Sequence, residues 1–126
     1  MPRKRAIALT DHELRLMSVL WERREATVAE IVGSLEPPPL AYTTVMTTLG
    51  TLEDKGYVAH TKDGRAFVYR PVVERSEAAT SLLDALLERF FRSSPGDLAL
   101  RLLQDERLSA EEIAAIKRAI ARKKRS

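Results

Sequence analysis

Five threonines stand close together near the middle of the chain, at Thr43, Thr44, Thr47, Thr48 and Thr51. Threonine has a poor helix propensity, and glutamate, lysine or alanine would serve better on a purely structural helix surface. Its hydroxyl group can bond a phosphate or a base edge, and its methyl group can meet the methyl group of thymine. We therefore interpret this segment as a helix that contacts DNA. The alternative is that the threonines only cap the helix and fill its rim.

Two cations, Lys62 and Arg65, flank the tip of a predicted β-hairpin that follows the threonine-rich helix. A basic hairpin tip beside a recognition helix is placed to contact the DNA backbone or the minor groove. A charged tip is also typical of a solvated turn, so this interpretation depends on the neighbouring helix. Thr43 and Thr44 fall at the N-terminus of that helix, where unpaired amide groups favour a phosphate. The candidate DNA contacts are thus the five threonines and these two cations.

Residue types suited to catalysis or metal binding are scarce. The chain has no cysteine, which excludes disulfides, thiolate metal sites and cysteine nucleophiles. Its two histidines, His12 and His60, belong to different predicted elements. Neither a Gly-x-Ser-x-Gly sequence nor a phosphate-binding loop occurs. We expect no enzyme activity, no cofactor and no metal site.

The segments before the threonines predict two short helices. Each begins with a capping box, in which a threonine and a glutamate three residues later satisfy the first amide groups of the helix. The boxes are residues 10–13 and 27–30. The first box is followed at helical spacing by the apolar residues Leu14, Met17, Leu20 and Trp21. Three prolines from Pro37 onward end the second helix, because proline cannot continue it.

The threonine-rich helix is predicted from about Tyr42 to Lys55, with Gly56 as a left-handed cap. Alternation at 57–61 and 65–70 predicts two strands joined by a turn at 62–64, where Asp63 and Gly64 supply positive φ angles. A weak third strand at 40–41 could pair with this hairpin. Three helices followed by a hairpin predict a mainly α fold with a small β-hairpin wing, a winged helix-turn-helix over residues 1–71.

Residues 72–126 read as a separate helical part in three segments. A unit of this size rarely closes a core alone, and its leucine and phenylalanine edge would aggregate if left uncovered. We therefore predict that it makes an isologous homodimer. The alternative is a monomer in which these helices fold back on the winged helix. The predicted dimerisation residues are Leu82, Leu83, Leu86, Leu87, Phe90, Phe91, Leu98, Leu102, Ile113, Ile116 and Ile120.

Charge and hydropathy set further bounds. Residues 1–70 carry 10 lysines and arginines against 9 acidic residues, and residues 71–126 carry 11 against 9. Neither half is strongly basic, so any contact with DNA must come from local placement of charge. No run approaches the roughly 20 apolar residues of a membrane helix. The basic start, Arg3 to Arg5, leads directly into a helix cap, which argues against a secretory signal. We expect a cytoplasmic protein.

The chain resembles a known family, the bacterial penicillinase repressors of the BlaI/MecI/CopY group. The most specific segments are residues 9–22, 41–49 and 52–57, and residues 64–71 add the hairpin. Residues 98–113 resemble the dimerisation segment of the family. The resemblance implies a homodimer that binds a palindromic operator and represses transcription. It also implies a membrane sensor-protease that detects β-lactams and leads to cleavage in the C-terminal segment.

Three departures from the family pattern bear on this function. Arg101-Leu102 stands where well-known members are cut at an Asn-Phe bond, which puts the same cleavage chemistry in question. The cysteine cluster of the copper-responsive branch is missing. Thr43, Met46 and Thr51 stand where several members have arginine or lysine, so the operator preference is expected to differ. A rival function is a winged helix that docks a protein partner and binds no specific DNA.

Overall fold

A computed structural model describes residues 9–125, which form two compact units that meet in the sequence at Ala85 and Leu86. The basic residues Arg3 to Arg5 lie outside the described residues. The first unit contains three helices and a small sheet, and the second is helical. The elements are α1 (Asp11–Arg23), β1 (Ala26–Thr27), α2 (Val28–Ser34), α3 (Tyr42–Asp54), β2 (Val58–Asp63), β3 (Ala66–Pro71), α4 (Arg75–Phe90), α5 (Pro95–Leu103) and α6 (Ala110–Lys124).

The predicted helix starts are confirmed by their caps. The Thr10 and Thr27 hydroxyl groups accept hydrogen bonds from the backbone amides of Glu13 and Glu30. In turn, the carboxylate of each glutamate accepts a hydrogen bond from the backbone amide of its cap threonine. Ser109 makes the third capping box at the start of α6. Gly56 ends α3 with a φ of 85°, a left-handed value that favours glycine. Local hydrogen bonding therefore sets the ends of these helices.

The sheet has three antiparallel strands in the order β1-β3-β2. Its third strand is Ala26–Thr27, paired with Val68 and Tyr69, so the prediction of a strand at 40–41 was wrong. The hairpin turn also differs, since Asp63 pairs with Ala66 and the turn is Gly64-Arg65. Only Gly64 has a positive φ, which is the pattern of a type II′ turn. Three helices and this hairpin confirm the predicted winged helix-turn-helix.

The core of the first unit lies between the three helices and the sheet. The inner residue positions of α3, Val45, Leu49 and Leu52, are fully buried as the periodicity predicts. On α1 the buried apolar residues are Leu16, Met17 and Leu20. Leu14 is 47% exposed, so its place in the predicted stripe was wrong. The helix is rotated so that Glu13, 2% exposed, takes a buried position instead.

Trp21 anchors the chain where it leaves the wing. Its Nε1 donates to the carbonyl oxygen of Val73 at 2.9 Å, and the Arg75 guanidinium lies 5.2 Å from the ring centre. The ring is partly buried against this segment. Trp21 thus ties α1 to the start of α4 by one directed hydrogen bond.

Replacing Trp21 by phenylalanine should lower the free energy of unfolding by about 1 to 2 kcal/mol. The ring remains, but the buried Val73 carbonyl loses its donor. Urea unfolding followed by far-UV circular dichroism measures the change, since Trp21 is the only tryptophan and its fluorescence would be lost. An unchanged midpoint would show that this bond does not hold the segment.

The second unit buries little apolar surface. Leu87, Phe91, Leu98 and Ile116 are partly buried, and none of the described residues 86–125 is buried. The other predicted dimerisation residues are exposed: Leu82, Leu83, Leu86, Phe90, Leu102, Ile113 and Ile120. No helix among residues 9–125 is both long enough and apolar enough to cross a membrane.

Candidate nucleic-acid interface

The helix α3 begins without a side-chain cap. Its cap residue is Ala41, which offers no side-chain hydrogen bond to the first amide groups. The preceding proline segment is held instead by Arg15 of α1, whose guanidinium donates to the carbonyl oxygens of Glu36 and Pro38. The first amides of α3 are therefore free of a protein side chain, and such amides suit a phosphate oxygen.

The five predicted threonines are not equivalent on α3. Thr43, Thr47 and Thr51 are exposed, whereas Thr44 and Thr48 are partly buried beside the core face. The Thr48 hydroxyl donates to the Thr44 carbonyl at 2.7 Å, and that of Thr51 donates to the Thr47 carbonyl at 3.2 Å. Because both hydroxyl protons are used within the helix, these oxygens would meet DNA as acceptors or the side chains would meet it through their methyl groups.

Sequence reasoning did not assign two residues on the outer face of α3 to the site. Met46 is 45% exposed, and Gly50, one turn further on, is also exposed. A methyl group built at Gly50 would find no atom within 4 Å. These positions follow Thr43 at spacings of three and seven, so helical periodicity alone could have found them. The outer face of α3 is defined as Thr43, Met46, Thr47 and Gly50.

This outer face carries no formal charge. From Tyr42 to Leu52 the helix contains neither a basic nor an acidic residue. Charge begins only at Glu53 and Asp54, the last residues of the helix. Any DNA contact along this face therefore depends on hydroxyl, methyl and thioether groups.

The wing contacts α3 through one polar contact, and three rings pack against one another within the wing. His60 Nδ1 lies 2.7 Å from Glu53 Oε1, and the His60 ring centre lies 5.0 and 5.2 Å from those of Phe67 and Tyr69. Lys62 pairs with Phe67 across the hairpin, so the two share the face that bears His60. Lys62, Phe67 and the turn residue Arg65 are exposed. The wing thus presents two cations and one aromatic ring next to α3.

Several cations in the described part of the first unit form ion pairs. Arg23 contacts Glu30 at 2.9 Å, and Arg24 contacts Glu74 at 2.8 Å. The three cations of the hairpin, Lys62, Arg65 and Arg70, have no ion pair within 4 Å among the described residues. The structure thus leaves the predicted wing cations available to an anionic partner. No group of three or more potential metal-ligating side chains occurs among residues 9–125.

The C-terminal end of α3 is fixed by a buried ion pair. Lys55 Nζ lies 2.8 Å from Glu13 Oε1, with the Glu13 side chain 3% exposed. Burial acts to raise the pKa of Glu13, but hydrogen bonds from Lys55 and Thr10 outweigh it, so the pKa lies below its usual value. The carboxylate therefore stays charged and holds α3 to the start of α1. Sequence reasoning did not find this pair.

The chain is similar to known proteins both in sequence and in structure. The family described as "Penicillinase repressor" matches residues 9–122. The penicillinase repressor of Bacillus licheniformis is 31% identical over 111 residues, covering 87% of each chain. The transcriptional regulator BlaI of Mycobacterium tuberculosis is 38% identical over 116 residues, covering 90% of this chain and 83% of the relative.

The structural comparison concerns the DNA-binding part of such proteins. A solved structure of the DNA-binding domain of the repressor BlaI matches with a TM-score of 0.52 and 32% sequence identity. The match covers 60% of this chain and 93% of the solved domain.

Proposed function

The chain belongs to the penicillinase repressor family, a family of transcriptional repressors, and from this premise we propose that it is a homodimeric repressor that binds a palindromic DNA operator. The observation that carries the proposal is the exposed, uncharged outer face of α3, next to a wing with unpaired Lys62 and Arg65. Two relatives are named as repressor and transcriptional regulator, and the solved BlaI domain is named as DNA-binding. An operator-binding repressor acts in the cytoplasm, which is the proposed location.

The proposed DNA contacts form two groups, one on α3 and one on the wing. Thr43, Thr44, Thr47 and Thr48 face the major groove, and Thr51 lies at its edge. Lys62 and Arg65 contact the DNA backbone from the wing. Hydroxyl and methyl contacts to base edges carry sequence preference, whereas lysine and arginine contacts to phosphate carry affinity for any sequence.

The proposed dimer rests on the apolar surface of the C-terminal helices. Phe90 is 75% exposed, and α5 and α6 enclose a groove of about 540 Å³. The groove is lined chiefly by Leu102, Leu103, Leu108, Ile116 and Ile120. A soluble chain rarely leaves such a surface uncovered, and a second copy is the commonest cover. We assign residues 1–71 to DNA binding and 72–126 to dimerisation, so two recognition helices would reach half-sites one DNA turn, roughly 34 Å, apart or a multiple of it.

The proposal includes release by an inducing signal. A membrane sensor-protease acting on the C-terminal segment is the route that the family resemblance implies. In this chain the corresponding bond, Arg101-Leu102, lies within α5 and both side chains are exposed. Cutting there would interrupt α5 and remove α6 from the chain, which would disrupt the proposed dimer surface.

Fluorescence anisotropy on the DNA upstream of the protein's own gene tests the proposal. A scrambled duplex of equal length and a salt series serve as controls. We expect salt-dependent binding of two protomers per site, about 10³-fold tighter than on the scrambled duplex. Weak binding that is equal on both duplexes and unaffected by salt would favour the rival function, a winged helix that docks a protein.

Replacing Lys62 by glutamine should weaken binding to every duplex by a similar factor. The loss of one phosphate contact per protomer lowers the slope of log affinity against log salt by about 1 for each contact. Lys62→Arg keeps the charge and should keep the slope. If Lys62→Gln instead changed the ranking of different duplexes, Lys62 would be a base-reading residue and the proposed division would fail.

Replacing Phe90 by lysine should weaken self-association at least about 30-fold. An aromatic anchor at an interface is worth about 2 kcal/mol or more, and lysine also brings an unpaired charge into the interface. Sedimentation velocity over a concentration series gives the dissociation constant. The matched control Phe67→Lys makes the same change on the wing and should leave the dimer intact. Equal dissociation constants for Phe90→Lys and wild type would place the interface elsewhere.

A further inference from the structure

The outer face of α3 contains a large apolar side chain, Met46, that is exposed in the described part of the chain. It is 45% exposed, while the apolar residues on the opposite side of the same helix, Val45, Leu49 and Leu52, are fully buried. Met46 is therefore not part of the core. Its neighbours on the outer face are two threonines and a glycine, so it is the longest side chain there.

The chemistry of Met46 restricts what it can meet in a major groove. A thioether is at most a weak acceptor, so it satisfies neither the acceptors of guanine nor the amino donors of cytosine and adenine. A base that presents such a group to Met46 would lose water without a partner, which is unfavourable. The thymine C5-methyl group is the one apolar group on the major-groove edge of the base pairs.

Gly50 allows α3 to come close enough to the DNA for Met46 to contact a thymine methyl group. It lies one turn after Met46 on the outer face, and nothing surrounds the place where a side chain would start. The helix backbone can therefore come closer to the floor of the groove than with any other residue at that position. Methionine is unbranched and adaptable, so it can fill the remaining space against a methyl group.

We propose that Met46 is a specificity-determining residue that selects thymine in each half-site by contact with its C5-methyl group. The inference rests on the proposed operator-binding function, which it deepens. Burial of one methyl group favours thymine about fourfold over a base pair that lacks it. With one such contact in each of two half-sites, the combined preference for thymine is about 15-fold.

Deoxyuridine tests this contact, because it pairs as thymidine does and lacks only the C5-methyl group. The probe is the duplex that the full-length wild-type protein selects from a randomised pool, made once with thymidine and once with deoxyuridine throughout. We expect wild type to bind the uridine duplex about 15-fold more weakly. Met46→Ala should bind the thymidine duplex more weakly than wild type and should lose most of its preference over the uridine duplex.

Two further variants make the test decisive. Val72→Ala, at an apolar residue of similar exposure away from α3, should keep the full preference of wild type. Met46→Arg, used in the same selection, should replace thymine by guanine at the contacted position, since arginine bonds guanine in the major groove. Equal binding of both duplexes by wild type would overturn the inference. An undiminished preference in Met46→Ala would overturn it too, and would assign the methyl contacts to the threonines. If wild type enriches no duplex from the pool, the proposed function itself fails.

Discussion

Replacing Gly50 by glutamate is expected to lower operator affinity at least about 100-fold while leaving the fold intact. A glutamate side chain would stand on the outer face of α3, where it blocks close approach and repels phosphates. A loss of about 1.5 kcal/mol in each of two half-sites gives this factor. Stability should not fall, because an exposed mid-helix glycine is less favourable than glutamate by about 0.8 kcal/mol. Repulsion from Glu53 and Asp54 offsets part of this gain.

Gly33 provides a matched control. It is also an exposed helical glycine with nothing within 4 Å of a built methyl group, but it lies near the end of α2. Gly33→Glu should keep operator affinity within about threefold of wild type, since it makes the same chemical change away from the proposed interface. Anisotropy titrations and thermal unfolding of both variants give the comparison. Equal losses of affinity in the two would mean that added negative charge alone weakens binding and that α3 is not the reading element.

Replacing Lys55 by methionine is expected to lower the free energy of unfolding by about 3 kcal/mol at neutral pH. The change removes the ammonium group 2.8 Å from Glu13 and leaves a carboxylate buried without its counter-ion. Breaking one partner of a buried pair costs several kcal/mol for this reason. Urea unfolding at pH 7 measures the loss. A loss below about 1 kcal/mol would show that the pair behaves as a surface salt bridge.

The same pair predicts how stability depends on pH. Burial acts to raise the pKa of Glu13, and the bonds from Lys55 and Thr10 lower it further than burial raises it. Because the folded-state pKa is depressed, the contribution of Glu13 is present above its unfolded pKa and is lost as pH falls through the folded-state pKa. In Lys55→Met the Glu13 carboxyl group is easier to protonate. The difference in free energy of unfolding between this variant and wild type should therefore become smaller as the pH falls. Lys62→Met, at an exposed lysine, should have the same free energy of unfolding as wild type at neutral and at acidic pH.

The sequence predicts those features of this fold that depend on neighbouring residues. The capping boxes at residues 10–13 and 27–30 and the cap at Gly56 were found because each uses groups within a few residues of one another. The buried face of α3 follows from helical periodicity, because Val45, Leu49 and Leu52 share one side of the helix and every outer position except Met46 is polar or small.

The features that sequence reasoning missed depend on distant partners. On α1 both Leu14 and Leu16 are apolar, but only Leu16 is buried. Glu13 is buried with it, and its partner Lys55 lies 42 residues away in the sequence. A two-residue strand at Ala26–Thr27 has no periodicity to detect, and its pairing with Val68 and Tyr69 is a tertiary contact. Sequence reasoning placed the candidate site on the five threonines, Lys62 and Arg65, which stays a prediction. It treated Met46 only as a departure from the family, although helical periodicity places this residue on the outer face of α3.

The segregation of α3 into a buried and an outer face has a consequence for the diversification of such repressors. The buried residues of the helix are separate from the exposed residues of the outer face. The buried residues are Val45, Leu49 and Leu52, and the exposed ones are Thr43, Met46, Thr47 and Gly50. Substitutions on the outer face are therefore expected to change the free energy of unfolding only slightly. After gene duplication, two copies could acquire mutually exclusive operators within a few mutations, with no loss of folding along the way. The same property makes this small domain a suitable scaffold for a set of orthogonal genetic switches.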